Sequence, residues 1–280
     1  MMDSLDFSQI KMVAMDMDGT ALNNNHVLST RTIAAVKAVY DKGIKVIFAT
    51  GRMLDAVKKH LQEADMDGVV VAHNGALLVD LKNNFIYRDD RVSKEILNTV
   101  YTYAKDKEII LHYNLGDQVM VEKERPLSTR YACELGISLT QIDDLSNYLQ
   151  LPTSILMLGR KKELEKALAY IENLKLAGMN NVFIPWFEEY WMLQFIPNGA
   201  SKGKAVMELA KQLGMDKSQV MSFGDSYNDI EMITESGIGI AMGNACESLK
   251  EVADYITLSN DEDGVAVILE KMAETERGGF

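Results

Sequence analysis

Two short acidic runs carry the chemistry this sequence could perform. Asp16-Met17-Asp18-Gly19-Thr20 places two carboxylates two residues apart, directly after the apolar run from Ile10 to Met15. Side chains at i and i+2 of an extended segment face one side. Such a pair suits the binding of a hard cation, or a division of nucleophilic and acid–base duties between two acids. It also fits a loop cap before a glycine turn. Gly224-Asp225-Ser226-Tyr227-Asn228-Asp229 follows a second apolar run, Val220 to Phe223. Asp225 and Asp229 share a face if a helix begins early. Helix capping by Asp225 or Ser226 explains either position singly, but not a partner cluster after another strand. Thr50-Gly51-Arg52 offers a hydroxyl and a glycine amide at a helix start, which suits an anion and equally an ordinary strand-to-helix turn. Lys202 stands at another helix start, after Gly199-Ala200-Ser201, and Lys204 beside it leaves the choice between them open.

Each cluster needs a strand behind it, and the pattern supplies one. Ile10 to Met15, Lys45 to Ala49, Gly68 to Ala72 and Val220 to Phe223 are continuous apolar runs, and amphipathic helices lie between the first three. Ser29 caps the first helix, which closes at Gly43; Ser201 caps another, running to Leu213. Continuous apolar strands alternating with helices predict βαβ connections and a parallel sheet buried on both faces. Open sheets of this kind bind ligands beyond the carboxyl ends of their strands, so neighbouring strands would bring Asp16, Asp18, Thr50 and Asp225 to one crevice. Between Asn74-Gly75-Ala76 and Pro197 the pattern differs. A hairpin around Lys82-Asn83-Asn84, helices at Ser93 to Lys105 and Lys161 to Leu176, and short strands elsewhere predict an inserted α+β module.

Composition narrows the partners. The 280 residues include 41 acids and 29 bases, for a net charge of −12, with 47% hydrophobic and 25% charged residues. Disorder is excluded by that apolar content, and backbone-driven nucleic-acid binding by the acidic balance. Met1-Met2-Asp3 begins no basic stretch followed by an apolar core, and no apolar run reaches about 18 residues, so neither signal peptide nor membrane helix is expected. Cys133 and Cys246 predict buried thiols rather than a disulfide, in a cytoplasmic protein. His26, His60, His73 and His112 lack zinc-ligand spacing and predict surface or core roles. Trp186, Tyr190 and Trp191 predict packing, and the tail from Glu276 to Phe280 predicts fraying.

Taken in order, Asp16-Met17-Asp18-Gly19-Thr20, Thr50-Gly51, Lys202 and Gly224-Asp225-Ser226-Tyr227-Asn228-Asp229 resemble the four motifs of the haloacid dehalogenase superfamily of phosphotransferases. The long insert after Asn74-Gly75-Ala76, with Gly239 to Ala245 and Asp263-Gly264-Val265-Ala266, resembles the Cof-type subfamily. The resemblance spans nearly the whole chain. It implies an α/β fold: a Rossmann-like parallel-sheet core with helices on both faces (residues 1–84 and 197–280) and an inserted α+β cap domain (residues 85–196). Gln194 in Leu193-Gln194-Phe195-Ile196-Pro197 departs from the glutamate expected there.

The implied roles are chemically coherent. Asp16 would attack phosphorus to form an aspartyl-phosphate, and Asp18 would act as general acid, then base. Mg²⁺ would be held by the Asp16 carboxylate, the Asp18 backbone carbonyl and the Asp225 carboxylate. Thr50, the Gly51 amide, Lys202 and Asn228 would stabilise the transferring phosphoryl group, with Asp229 acting behind them through water or Lys202. By the same resemblance, dehalogenases lack the second Asp and transport ATPases carry Thr there. Asp18 therefore implies hydrolysis of small phosphorylated metabolites such as sugar phosphates, or a phosphomutase. A non-catalytic binding protein retaining the fold is the third expectation. A monomer or homodimer is expected, without membrane or nucleic-acid partners.

Overall fold

A computed structural model describes residues 5–66, 68–145 and 150–274; the expected fraying of the tail lies outside them. The first stretch of chain forms β1 (Met12–Met15), α1 (Thr30–Asp41), β2 (Lys45–Ala49), α2 (Leu54–Glu63), β3 (Val69–Ala72), β4 (Leu77–Asp80) and β5 (Phe85–Asp89). Then come α3 (Lys94–Ala104), β6 (Ile110–Leu115), β7 (Gln118–Val121), α4 (Pro126–Leu135), β8 (Leu139–Gln141), β9 (Ser154–Arg160), α5 (Lys161–Asn173), β10 (Met179–Phe187) and β11 (Tyr190–Pro197). The chain continues with α6 (Lys202–Gln212), β12 (Val220–Gly224), α7 (Ile230–Glu235), β13 (Ile238–Ala241), α8 (Glu247–Lys250), β14 (Tyr255–Ile256) and α9 (Gly264–Glu274).

The larger sheet runs β14-β13-β12-β1-β2-β3-β4-β5, parallel from β14 to β3 and antiparallel at the β4–β5 end. Its apolar strands read as continuous runs because both faces are covered. Val13 and Met15 pack with Val36 and Val39 of α1 and Ile268 and Leu269 of α9. Met12 and Ala14 pack on the opposite face with Ala205, Val206 and Leu209 of α6. The order reverses between β1 and β12, so the crevice at their carboxyl ends is where a ligand belongs. Asp16 and Asp225 each follow one of those two strands. The helix starts expected at Ser29 and Ser201 are present, and these hydroxyls accept from the Thr32 and Lys204 N–H groups.

The second sheet runs β10-β11-β9-β6-β7-β8 and is antiparallel except for β7–β8. It docks on the core where Val119 and Val121 of β7 meet Met53 and Ala56. Two expectations change here. Phe85 pairs with Asp80, so Phe85–Asp89 belongs to the larger sheet and not to the insert, as a boundary at residue 84 would have it. Cys133 is exposed and Cys246 half-buried, both free, rather than buried thiols. No helix among the described residues is long and apolar enough to cross a membrane.

Two histidines, His73 beside the insert and His112 within it, are buried as neutral rings. Burial pushes His73 down to about 4 and His112 down to about 3. The denatured chain, titrating near 6.5, takes up protons first as pH falls, so each histidine makes folding less favourable below that value. Between pH 7 and pH 5 the expected loss is about 2 kcal/mol per histidine. Buried acids elsewhere act in the opposite direction, so the measurement is a difference. Urea unfolding of the chain and of His112→Phe at both pH values should show the variant's relative stability rising by that amount at pH 5. An unchanged difference rules the assignment out.

Candidate active site

Asp16 leaves the end of β1 and is 4% exposed. Lys202, the first residue of α6, is 2% exposed and reaches across 186 positions of sequence to place Nζ 2.5 Å from Asp16 Oδ1. The same ammonium lies 2.7 Å from Asp229 Oδ1. Lys204, its rival in the sequence, lies half-exposed 4.0 Å from Glu231. Asp229 is fully buried, and its second oxygen accepts from the Asp225 and Ser226 N–H groups at 3.1 and 3.0 Å. It therefore shapes the acidic loop as well as pairing with Lys202. Asp225 accepts from the Thr20 hydroxyl at 2.9 Å. Gly19 makes that approach possible: its φ is +76°, and a Cβ there would stand 2.4 Å from Asp225 Oδ2. No other residue tolerates both constraints.

The carboxylate oxygens of Asp16, Asp225 and Asp229 lie within 4.8 Å of one another. Against them, among the described residues, stands the ammonium of Lys202, so with all three acids ionised the cluster carries an excess of two negative charges. Burial, reinforced by the neighbouring carboxylates, raises Asp16 well above the usual range despite Lys202. Burial and then the Asp229 charge raise Asp225 to about 7. For Lys202 burial opposes ionisation, but the two acids outweigh it and hold the ammonium charged. An excess of two charges on hard oxygen donors fits a divalent cation.

Asp18 is directed elsewhere. Its carboxylate takes two hydrogen bonds from Arg52, one of them 2.6 Å from Nε, and His26 Nδ1 lies 3.5 Å away. Burial works against ionisation of Asp18, but the hydrogen bonds from His26 and Arg52 outweigh it and hold the carboxyl below its ordinary range. Arg52 is 4% exposed, and its Nη1 donates to His60 Nε2 at 3.0 Å. Neither His26 nor His60 was expected at a site. A guanidinium needs several acceptors when buried, and the Asp18 carboxylate and His60 Nε2 supply them.

A cavity of about 350 Å³ opens above this floor, and Asp16, Asp18, Gly51, Lys202, Asp225 and Asn228 line it. Thr50 lies behind Gly51, 1% exposed, with its hydroxyl accepting from the Arg52 N–H at 3.0 Å. The insert supplies the roof: Tyr131, Leu156, Val182, Ile184, Trp186 and Met192, with Gln194 and Glu134. Trp186 meets Tyr131 edge-on at 5.9 Å, and its Nε1 donates to Glu134 at 2.7 Å. Trp186 was expected only to pack. Tyr131 and Glu134 lie on α4, which went unread although Pro126 at its first position and Gly136 just after its last are signals of a helix.

A family model for haloacid dehalogenase-like hydrolases matches residues 13–269. The 5-amino-6-(5-phospho-D-ribitylamino)uracil phosphatase YcsE of Bacillus subtilis is 29% identical over 257 residues, covering 92% of this chain and 93% of that one. Phosphatase YwpJ of the same organism is 28% identical, covering 94% of this chain and 100% of its own. A haloacid dehalogenase-like hydrolase from Bacteroides thetaiotaomicron superposes with a TM-score of 0.84 at 27% identity, covering 94% and 99% of the two chains. With the acid cluster placed at the β1–β12 switch point and the match running from β1 into α9, the chain belongs to the haloacid dehalogenase-like hydrolases, as a Cof-type phosphatase.

Proposed function

We propose that this phosphatase hydrolyses phosphate monoesters of small metabolites with Mg²⁺, through an aspartyl-phosphate on Asp16. The observation that carries the reading is Asp16 at the cavity floor, 2.5 Å from Lys202 and within the three-acid cluster. An Asp16 oxygen attacks phosphorus as the ester P–O bond breaks, and the leaving oxygen takes its proton from Asp18, protonated while the Arg52 pair is open. Water then attacks the phosphorus, releasing inorganic phosphate and restoring the carboxylate. Lys202, the Gly51 N–H and Asn228 stabilise charge on the phosphoryl oxygens, and Thr50 supports the Gly51 turn from behind. Asp16 and Asp225 would hold Mg²⁺ with the main chain at Asp18, and Asp229 balances Lys202. Bound there, the ion neutralises phosphoryl charge. Asp18, kept ionised by Arg52, stands ready as the base for water; acid duty requires the Arg52 pair to open first.

The insert acts as a cap, beginning after β5, and its roof shapes the substrate. Among the described residues, Glu134 is the one charged side chain it adds to the cavity. Sugar hydroxyls buried against Leu156, Val182, Ile184 and Met192 would lose hydrogen bonds to water without replacement. The roof therefore favours a leaving group with a flat, apolar portion over a plain sugar phosphate. That shape is compatible with the uracil-bearing ester on which the Bacillus subtilis relative acts.

The test is phosphate release from aryl, heterocyclic and sugar phosphates, with Mg²⁺ and with chelator. Release should require the metal and be fastest with ring-bearing esters. Trp186→Ala should raise KM for those esters about ten-fold while leaving inhibition by inorganic phosphate unchanged. Metal-independent turnover, or a uniform preference for hexose phosphates, would contradict the reading.

A further inference from the structure

A buried polar relay joins the cap to the cavity, and one carbonyl sets its direction. Gly116 offers His73 Nε2 a carbonyl oxygen at 3.1 Å. A carbonyl only accepts, so Nε2 carries the proton. His73 is 1% exposed and burial pushes it down to about 4, so the ring is neutral and Nδ1 is bare. The Ser154 hydroxyl, 3.0 Å from Nδ1, must therefore donate to it. Both lone pairs of Ser154 are then left to accept from Asn114 Nδ2 and Gln194 Nε2, each at 2.9 Å. With its nitrogen committed, Gln194 turns Oε1 to Asn74 Nδ2 at 2.5 Å. Asn74 in turn presents Oδ1 to Asn228 Nδ2 at 2.8 Å. Every link donates in the same direction, from the cavity-lining Asn228 to a carbonyl of the cap.

The same residues brace the Thr50-Gly51-Arg52 turn. The His73 and Asn74 N–H groups donate to the Arg52 and Thr50 carbonyls, each at 2.9 Å. Both residues hold left-handed φ, +49° and +51°, a conformation that surrounding contacts must maintain. Gln194 supplies one of those contacts from the cap.

We infer that Gln194 is a positioning residue for phosphoryl transfer: its amide keeps the cap–core joint uncharged and holds Asn74 and Asn228 against the cavity. An acid at this position could not do so. A carboxylate has no N–H, so Ser154 would have to donate to it and could no longer donate to His73. The ring would then donate from Nδ1 as well as Nε2, which makes it an imidazolium. The charged groups acting on His73 are Arg91, which disfavours that form, and Asp89, which favours it. They pair with each other at 2.7 Å, which leaves the ring's state to the relay.

Kinetically, the inference rests on the phosphatase reading; its structural arm does not. Imidazole ¹⁵N spectra of the intact protein should show His73 as the Nε2–H tautomer, neutral at pH 5. In Gln194→Glu the same ring should titrate at least about one pH higher, and kcat/KM should gain an added inflection at the pH where that ring titrates. Gln194→Met, of similar size without the hydrogen bonds, should lower kcat about ten-fold with a smaller change in KM. An Nδ1–H tautomer in the parent, an unshifted His73 in Gln194→Glu, or an unchanged kcat in Gln194→Met would each overturn the inference. If Gln194→Glu does not fold, the parent spectrum still decides the relay's direction and Gln194→Met its kinetic role. If the parent hydrolyses no phosphate ester, the phosphatase reading fails while the spectra still decide the relay.

Discussion

Replacing Asp16 with Asn lowers kcat by at least about 10³-fold, the scale reached when the nucleophile of a covalent mechanism is removed, and leaves the protein folded. The two halves of that result discriminate between roles. Asn has the same shape, and its Oδ1 can still accept from Lys202, which now stands 2.5 Å away. What disappears is one of three crowded negative charges, and burial already penalises the charge on Asp16. Removing it relieves repulsion, so without metal the thermal midpoint of Asp16→Asn should match or exceed that of the parent. A residue serving only the fold gives the opposite pattern, with stability lost and the remaining folded protein active. Stopped-flow turnover beside a thermal scan separates the two. Activity within ten-fold of the parent would falsify the nucleophile assignment.

Lys202→Met has a second large effect, this time on stability as well as rate. Among the described residues Lys202 is the one ammonium paired with Asp16 and Asp229, and all three side chains are buried. Methionine fills the volume but leaves the acids uncompensated. Breaking a buried pair from one side costs about 3–5 kcal/mol, because an unpaired charge remains. The loss should be greatest above pH 7, where the acids ionise, and should shrink on acidification as they take up protons. Saturating Mg²⁺ should restore part of the stability. It should not restore turnover, because removal of one preorganised charge facing the transition state costs about 10²–10³-fold in kcat. Urea unfolding at pH 6 and 8, with and without Mg²⁺, checks both parts. Equal stability of parent and variant at pH 8 without metal would refute the charge balance described for the cluster.

Asp16, Asp18 and Asp225 could be picked out before any fold was in view, for a local reason, whereas Lys202 stood apart from Lys204 only through the resemblance. Each stands next to an apolar run or at a helix start, and those patterns repeat over a few residues. Arg52 was visible as part of Thr50-Gly51-Arg52, but its bond to Asp18 depends on how α2 begins relative to the β1 loop. Helix α4 was missed because its apolar face is weak: only Ser128 and Ala132 are buried. Its start and stop signals were nonetheless present. The cap boundary was misplaced because β5 alternates poorly and is largely exposed, so only its pairing with β4 assigns it to the larger sheet.

The sequence by itself determined the strand–loop–helix order, the glycine at position 19 and the acids that follow β1 and β12, since each depends on chain-local periodicity and backbone stereochemistry. Tertiary structure decided which groups meet. It chose Lys202 over Lys204, turned Asp18 to Arg52, made Trp186 part of a roof and oriented Gln194 from a carbonyl at Gly116. Those outcomes depend on contacts between residues far apart in the chain, such as Thr20 with Asp225 across 205 positions. Strand register and the docking of one sheet over another fix such contacts, and no short stretch of sequence encodes either.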